Sequence, residues 1–280
     1  MRPGEDRTLL RDLPRLAVLS LGAVIVLAPY IWMFFASLKP GSEVFSNSLA
    51  LLPERFYAIE NYGKALREVP MVRFLLNGVI VCALILFFQT LFAVPCAYAL
   101  AKLRWRGREF LFGLVMLGLL IPYHVPALPL YVGFARLGLL DSFTALVAPS
   151  AISVFGIFLF RQAFRALPDE LIQAARIDGM GEMSIVWRVV MPNAWPAATA
   201  FATFSIVAHW NDLFWPLIVV QSHSMATPAL GVLFFRAEEA GNDVGALMAA
   251  AVLVTAPMVI LFLLAQRRFI QGVATAGLKG

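Results

Sequence analysis

The sequence predicts an all-α, polytopic membrane protein with six transmembrane helices, and three observations predict it. Of 280 residues, 61% are hydrophobic and 14% charged, with a mean hydropathy of +0.81; soluble domains carry about 25% charged residues. Apolar runs of the roughly 20 residues needed to cross a bilayer recur at 16–38, 74–101, 110–132, 143–160, 194–220 and 244–265. With the N-terminus inside, 15 of the 22 Lys and Arg fall in cytoplasmic segments (four in 1–15, four in 102–108, four in 161–188, three in 267–279) and seven outside. That is the asymmetry the positive-inside rule requires.

The first run, 16–38, exceeds a signal-peptide core and no A-x-A site follows it, so it is expected to remain as an anchor. Residues 1–15 read as a cytoplasmic N-terminal segment, 16–265 as a single membrane domain and 266–280 as a cytoplasmic tail. Residues 39–73 form the longest external segment and carry Pro40, Gly41, Ser42, Ser46, Asn47, Ser48 and Pro53. Turns and short outer helices are expected there, either as a plain connection or as a surface for a soluble binding protein.

The second run holds the only two cysteines, Cys82 and Cys96. Fourteen helical positions put them about 21 Å apart, so packing is their reading, and Asn77 is expected to cap the start of this helix. In the third run, Ile121-Pro122-Tyr123-His124-Val125-Pro126-Ala127-Leu128-Pro129 is the densest proline cluster, and the helix is expected to bend or break there. Pro95, Pro149, Pro216 and Pro257 punctuate other runs. Each frees a carbonyl that a neighbour or water must satisfy, and such kinks suit either a switching protein or a static bundle. Ala198 with Ala202 and Ala246 with Ala250 allow close helix approach.

Between the fourth and fifth runs lies a charged insert, Pro168 to Pro192. Pro168 suits a first helical turn, and Asp169 and Glu170 suit the positive end of the helix dipole. Leu171, Ala174, Ala175 and Asp178 share one face. Gly179 stands where a left-handed C-terminal cap is expected. A second short helix is expected over about 182–190, stopping at Pro192. Asp178, in the last turn of the first helix, breaks the dipole rule by about 0.3–1 kcal/mol. It is expected to cap the next turn, pair with Arg176 or touch a partner.

Catalytic chemistry is not visible. Gly63-Lys64 lacks the rest of a phosphate-binding loop, and no dinucleotide fingerprint, zinc spacing or nucleophile elbow occurs. His124, His209 and His223 show no metal-binding spacing. Asp212 is the one acidic residue within a predicted span, beside Trp210, Asn211 and Trp215. A carboxylate there costs about 2.5–3.5 kcal/mol on insertion scales, so it either lines a solute pathway or fixes a bend before Pro216. Tyr123, His124 and Gln89 are further pathway candidates.

The segment Gln173-Ala174-Ala175-Arg176-Ile177-Asp178-Gly179, with a proline 13 residues later, resembles the EAA loop of bacterial ABC-importer permeases. So do Asn61-Tyr62, Ala97-Tyr98-Ala99-Leu100-Ala101, Leu137-Gly138-Leu139-Leu140-Asp141, Trp210-Asn211-Asp212 and the C-terminal QRRFIQGVATAGLKG from Gln266. Together they are most similar to the carbohydrate-uptake branch. The pattern is broken in two places: Gln173 replaces the usual glutamate, keeping length but losing charge, and Met180-Gly181 replaces a small residue followed by Ser or Thr.

The resemblance implies a cytoplasmic coupling loop, 168–192, between helices 4 and 5, whose helix 169–179 docks on an ATPase through Glu170, Leu171, Gln173, Ala174, Ala175, Asp178 and Gly179. It also implies a dimeric ATPase carrying ATP and Mg, a second permease chain, an external solute-binding protein and surrounding lipid as partners. No cofactor on this chain and no nucleic acid are implied. The location implied is the inner membrane with both termini cytoplasmic. The solute is expected to be a sugar or sugar derivative, with a glycerol phosphodiester or polyol as alternative. An ion-coupled secondary transporter is the rival class, but the inverted repeats and multiple intramembrane charges of such proteins are not seen.

Overall fold

The structure is a computed structural model that describes residues 5–44, 51–238 and 243–277, with side chains over 14–44, 51–236, 243–264 and 266. In chain order the helices are α1 (Glu5–Ala36), α2 (Gly41–Val44), α3 (Ala58–Arg67), α4 (Met71–Ala101), α5 (Arg108–Leu117), α6 (Ala127–Arg136), α7 (Phe143–Val147) and α8 (Val154–Arg165). They continue as α9 (Asp169–Ile177), α10 (Glu182–Ile185), α11 (Met191–Asn193), α12 (Trp195–Trp210), α13 (Phe214–Val219), α14 (Pro228–Glu238) and α15 (Val244–Gly277). The described residues contain no strand.

Among the described residues, three stretches are long and apolar enough to cross a membrane: Pro14–Ala36, Met71–Ala101 and Val244–Leu264. A fourth candidate is a pair bent by 46°, Phe143–Ser150 followed by Val154–Arg165. All three long helices contain a proline, Pro29, Pro95 and Pro257, and run through it. A single lost backbone bond is tolerable where neighbouring groups satisfy the freed carbonyl.

The expected break in the third apolar run is found. α5 tightens into a 3-10 turn at Gly118–Leu120, and Ile121 is extended (φ −83°, ψ 115°), as the residue before a proline prefers. α6 restarts after Pro126 with Pro129 in its first turn, where a missing N–H costs no helical bond. The fifth run breaks over Asn211–Leu213, between α12 and α13.

The chain divides into two compact units, residues up to Val69 with Val232–Thr255, and Pro70–Gly231 with the residues from Ala256. In the first, Asn61 is buried and its Nδ2 donates to Ser37 O (2.9 Å) and Lys39 O (2.8 Å). A Cβ on Gly245 would come within 2.4 Å of Lys39 O, so only glycine lets the start of α15 pass so close. Tyr62 Oη lies 3.1 Å from Ser37 Oγ. The Asn61-Tyr62 pair is thus a brace beneath α1. Segment 39–73 forms the short helices α2 and α3, as the sequence leads one to expect, with 45–50 outside the described residues.

The second unit is built on α4, α8 and α12. Its main core joins Ala93, Ala97, Tyr98, Phe160, Phe164, Ile185, Val190 and Phe201. Asn77 does not cap α4: its Nδ2 donates to Ser224 O (3.0 Å) and Ala226 O (2.9 Å), fixing the turn before α14. Cys82 is buried and Cys96 half-buried, both free and both in packing positions.

Candidate functional site

The insert between α8 and α12 folds as its local chemistry dictates. Pro168 (φ −60°, ψ 136°) precedes α9, and Asp169 and Glu170 occupy its first turn. At the other end Gly179 has φ +79°. Its N–H donates to Arg176 O and the N–H of Met180 to Ala175 O, both at 3.0 Å, which is a Schellman cap. Met180, at the position that departs from the family pattern, supplies the apolar contact this cap uses by packing on the core beside Ala175.

The second half of the insert does not stop at Pro192. α10 widens into a π-helical turn at Val186–Val190 and α11 carries Pro192 in its first turn. Proline has no N–H and its ring collides with the carbonyl four residues back. The wider turn moves that carbonyl aside and lets the helical path continue to Asn193.

α9 turns Ile172 and Ala175 into the core, while Leu171, Gln173, Ala174, Ile177, Asp178 and Gly179 face out. Ile177 is 86% exposed. Of the expected face Leu171, Ala174, Ala175 and Asp178, three are exposed, whereas Ala175 is buried in the core and does not stand on the outward side with the other expected docking residues. Asp178 is an exposed C-cap residue, and Arg176 pairs with Glu182 instead (Nε to Oε1, 2.8 Å).

Residues that sequence reasoning passed over hold α9 in place. Lys102, just beyond α4, donates to Leu167 O (2.6 Å) and to the Asp169 carboxylate. Tyr98 Oη donates to Glu182 Oε2 at 2.5 Å, so the Ala97–Ala101 segment and the insert meet. The Lys102 ammonium holds the Asp169 carboxyl below its ordinary range, and the Arg176 guanidinium does the same for Glu182. Below them Arg161, 2% exposed, donates through Nη2 to both Glu109 oxygens (2.9 and 2.8 Å) and through Nε to Leu100 O (3.1 Å). Its guanidinium carbon sits 3.7 Å from the Phe112 ring centroid. Tyr98 belongs to a segment already singled out, and Lys102 to the basic turn, but nothing local reveals their targets.

The pathway candidates divide into groups. The Tyr123 and His124 rings lie against each other at a tilt of 39° (centroids 3.7 Å apart), and His124 meets Phe214 edge-on at 4.4 Å. The two helix breaks therefore lie side by side. His124 also lines a cavity of about 410 Å³ with Ala127, Leu128, Tyr131 and Ile218. Asp212 Oδ1 accepts the N–H of Trp215 (3.3 Å) at the start of α13, and Asn211 Nδ2 donates to Val207 O (2.8 Å) at the end of α12. Both side chains thus tie off a helix end at the bend.

Trp210 and Gln89 lie elsewhere. Trp210 is buried, its ring 3.1 Å from where a Cβ of Gly78 would stand. Gln89 is 4% exposed; its Nε2 donates to Ser150 O (2.9 Å) and its Oε1 accepts from Ser205 (2.7 Å), joining three elements.

Leu137-Gly138-Leu139-Leu140-Asp141 is a second Schellman cap, with Gly138 at φ +67°. Asp141 Oδ1 then accepts the N–H groups of Gln221 (2.9 Å) and Ser222 (3.0 Å). Of the C-terminal motif, the side chains beyond Gln266 lie outside the described residues.

Two adjoining helix breaks, and a short helix seated by one side on a core of three others, mark an all-helical membrane permease. The chain belongs to the family of binding-protein-dependent transport system inner membrane components, whose pattern it matches over residues 89–275. It is 33% identical over 260 residues to the arabinooligosaccharides transport system permease protein AraQ of Halalkalibacterium halodurans, covering 92% of this chain and 93% of that one. It is 32% identical over 261 residues to the sn-glycerol-3-phosphate transport system permease protein UgpE of Yersinia pestis bv. Antiqua, covering 91% and 93%. Its fold matches a chain in the crystal structure of a bacterial ABC transporter involved in the import of the acidic polysaccharide alginate. The TM-score is 0.79 and the identity 24%, over 96% of this chain and 99% of that one.

Proposed function

We propose that this permease crosses the inner membrane six times with both termini in the cytoplasm, and that α9 is the lever through which a separate ATPase pair drives it. The crossings are α1, α4, α5–α6, α7–α8, α12–α13 and α15. ATP and Mg belong to the ATPase chains, and this chain carries out no hydrolysis. A second permease completes the passage, and an external binding protein delivers the solute.

The observation that carries this reading is the two-sidedness of α9. Its inner side is fixed by Ile172, Ala175, Lys102 and Tyr98, while Leu171, Gln173, Ala174 and Ile177 stand out from the unit. A force applied to that outer side passes directly into the core of α4, α8 and α12. The adjoining breaks at 121–126 and 211–213, beside Tyr123, His124, Asn211 and Asp212, supply the part that yields and the polar face a solute would meet. The names of the two relatives support a sugar or sugar derivative as solute, with a polyol or its phosphate as second choice.

Gly179 provides the test. Gly179→Ala adds only the left-handed strain of an alanine, about 1–2 kcal/mol, into open space, and should transport. Gly179→Arg should insert and assemble in the membrane yet hydrolyse ATP without uptake in proteoliposomes. Wild-type uptake by Gly179→Arg would end the lever reading. Uptake driven by an ion gradient without the ATPase would replace it with secondary transport.

A further inference from the structure

We propose that the ATPase surface covering α9 presents an acidic side chain, which enters a basic pocket between α9 and the chain just after α4. The proposal rests on the docking role given to α9 above. The pocket has a volume of about 330 Å³ and is lined by Lys102, Arg104, Asp169, Gln173 and Arg176 over Leu103 and Ile172. Asp169 compensates Lys102 and Glu182, just outside the lining, compensates Arg176, which leaves one uncompensated positive charge, that of Arg104.

Lys102 is committed to Leu167 and Asp169, and Arg176 to Glu182. Arg104 is exposed and its guanidinium has no hydrogen-bond acceptor among the described residues. Gln173 sharpens the bias, because a glutamate there would place a second carboxylate in the pocket and a glutamine does not. The pocket thus recognises a carboxylate, which takes a two-pronged bond from a guanidinium.

Gln173, Arg176 and Ile177 lie at i, i+3 and i+4 and share one side of the helix. Whatever brings the carboxylate therefore also covers Ile177, 86% exposed. A broad anionic membrane surface fits less well. Asp169, Glu170 and Asp178 are exposed along the same helix and would repel it, whereas one inserted side chain passes between them.

The test uses the complete importer and the affinity of the permease for its ATPase. Arg104→Glu should weaken that affinity about tenfold or more at low salt, and Arg104→Gln and Gln173→Glu should weaken it less. Gln173→Lys should leave it unchanged or tighter, and one Asp or Glu to Lys change on the ATPase groove should restore Arg104→Glu. Ala174→Cys, cross-linked to cysteines on the groove, reports docking separately. Cross-linking with affinities indifferent to all four charge variants, or tighter binding by Gln173→Glu, overturns the acidic partner and leaves docking intact. Absence of any cross-link overturns both. Altered binding of Arg104→Glu to phosphatidylglycerol nanodiscs, with ATPase affinity intact, gives the pocket to a lipid headgroup and also overturns the proposal.

Discussion

The surroundings of α9 and the surroundings of the two helix breaks, both within the 70–231 unit, are built in opposite ways. Around α9 the core is continuous, from Ala93 on α4 through Phe160 and Phe164 on α8 to Phe201 on α12. Gly156 is so tightly enclosed that an added Cβ would stand 2.8 Å from the Phe201 ring. Around the breaks, Tyr123 is 62% exposed, Leu128 71%, and a cavity of about 410 Å³ opens beside them. There the backbone is secured by single side chains, Asp212 and Asn211, each tying one helix end. A densely packed body moves as one piece, and a thinly held break is where its motion can be absorbed. In the proposed mechanism the first is the lever and the second the switch.

The largest expected effect concerns the Arg161–Glu109 clasp below α9. Glu109→Ala strands a buried guanidinium and should lower Tm in detergent more than any other change discussed here. Arg161→Met puts an apolar chain of similar length against Phe112 and should cost only about 1–2 kcal/mol. The reverse order would show that the clasp is a surface pair with no part in fixing the lever.

Two glycines test packing directly. Gly156→Ala should destabilise by about 1–3 kcal/mol through overpacking against Phe201 and Ala93. Gly133→Ala, in α6 with open space around it, should stabilise by up to about 1 kcal/mol from helix propensity alone. Paired thermal melts decide it, and equal shifts would mean the two regions do not differ.

The smallest effect is a pH dependence. Arg176 holds the Glu182 carboxyl below its ordinary 4.5, so the pair contributes stability above that value and loses it as pH falls through the depressed one. An exposed pair of this kind is worth about 0.2–1 kcal/mol. Protection factors over 175–185, corrected for the intrinsic pH dependence of amide exchange, should fall in the wild type as pH drops below 4.5 through the depressed value, and Glu182→Gln should already show lower protection at pH 7 and change little below it.

What the sequence by itself determined is everything set by neighbours along the chain. Apolar run length gave the three long helices able to cross a membrane, prolines gave the break at 121–126, and Pro168, Asp169 and Gly179 gave both ends of α9. Backbone conformation near a proline or glycine depends on a few adjacent atoms, and six motifs in order carried the family. Tertiary structure alone decided the partners: that Asn77 holds Ser224 and Ala226 rather than its own helix, that Gln89 reaches Ser150 and Ser205, and that the helix passes Pro192 through a π turn. It also decided that Arg161 is buried under α5 and that Lys102, Arg104, Gln173 and Arg176 close around one pocket. Those pairings join residues about 60 to 150 positions apart, and a bond of that reach is fixed by how helices pack, which no local pattern encodes.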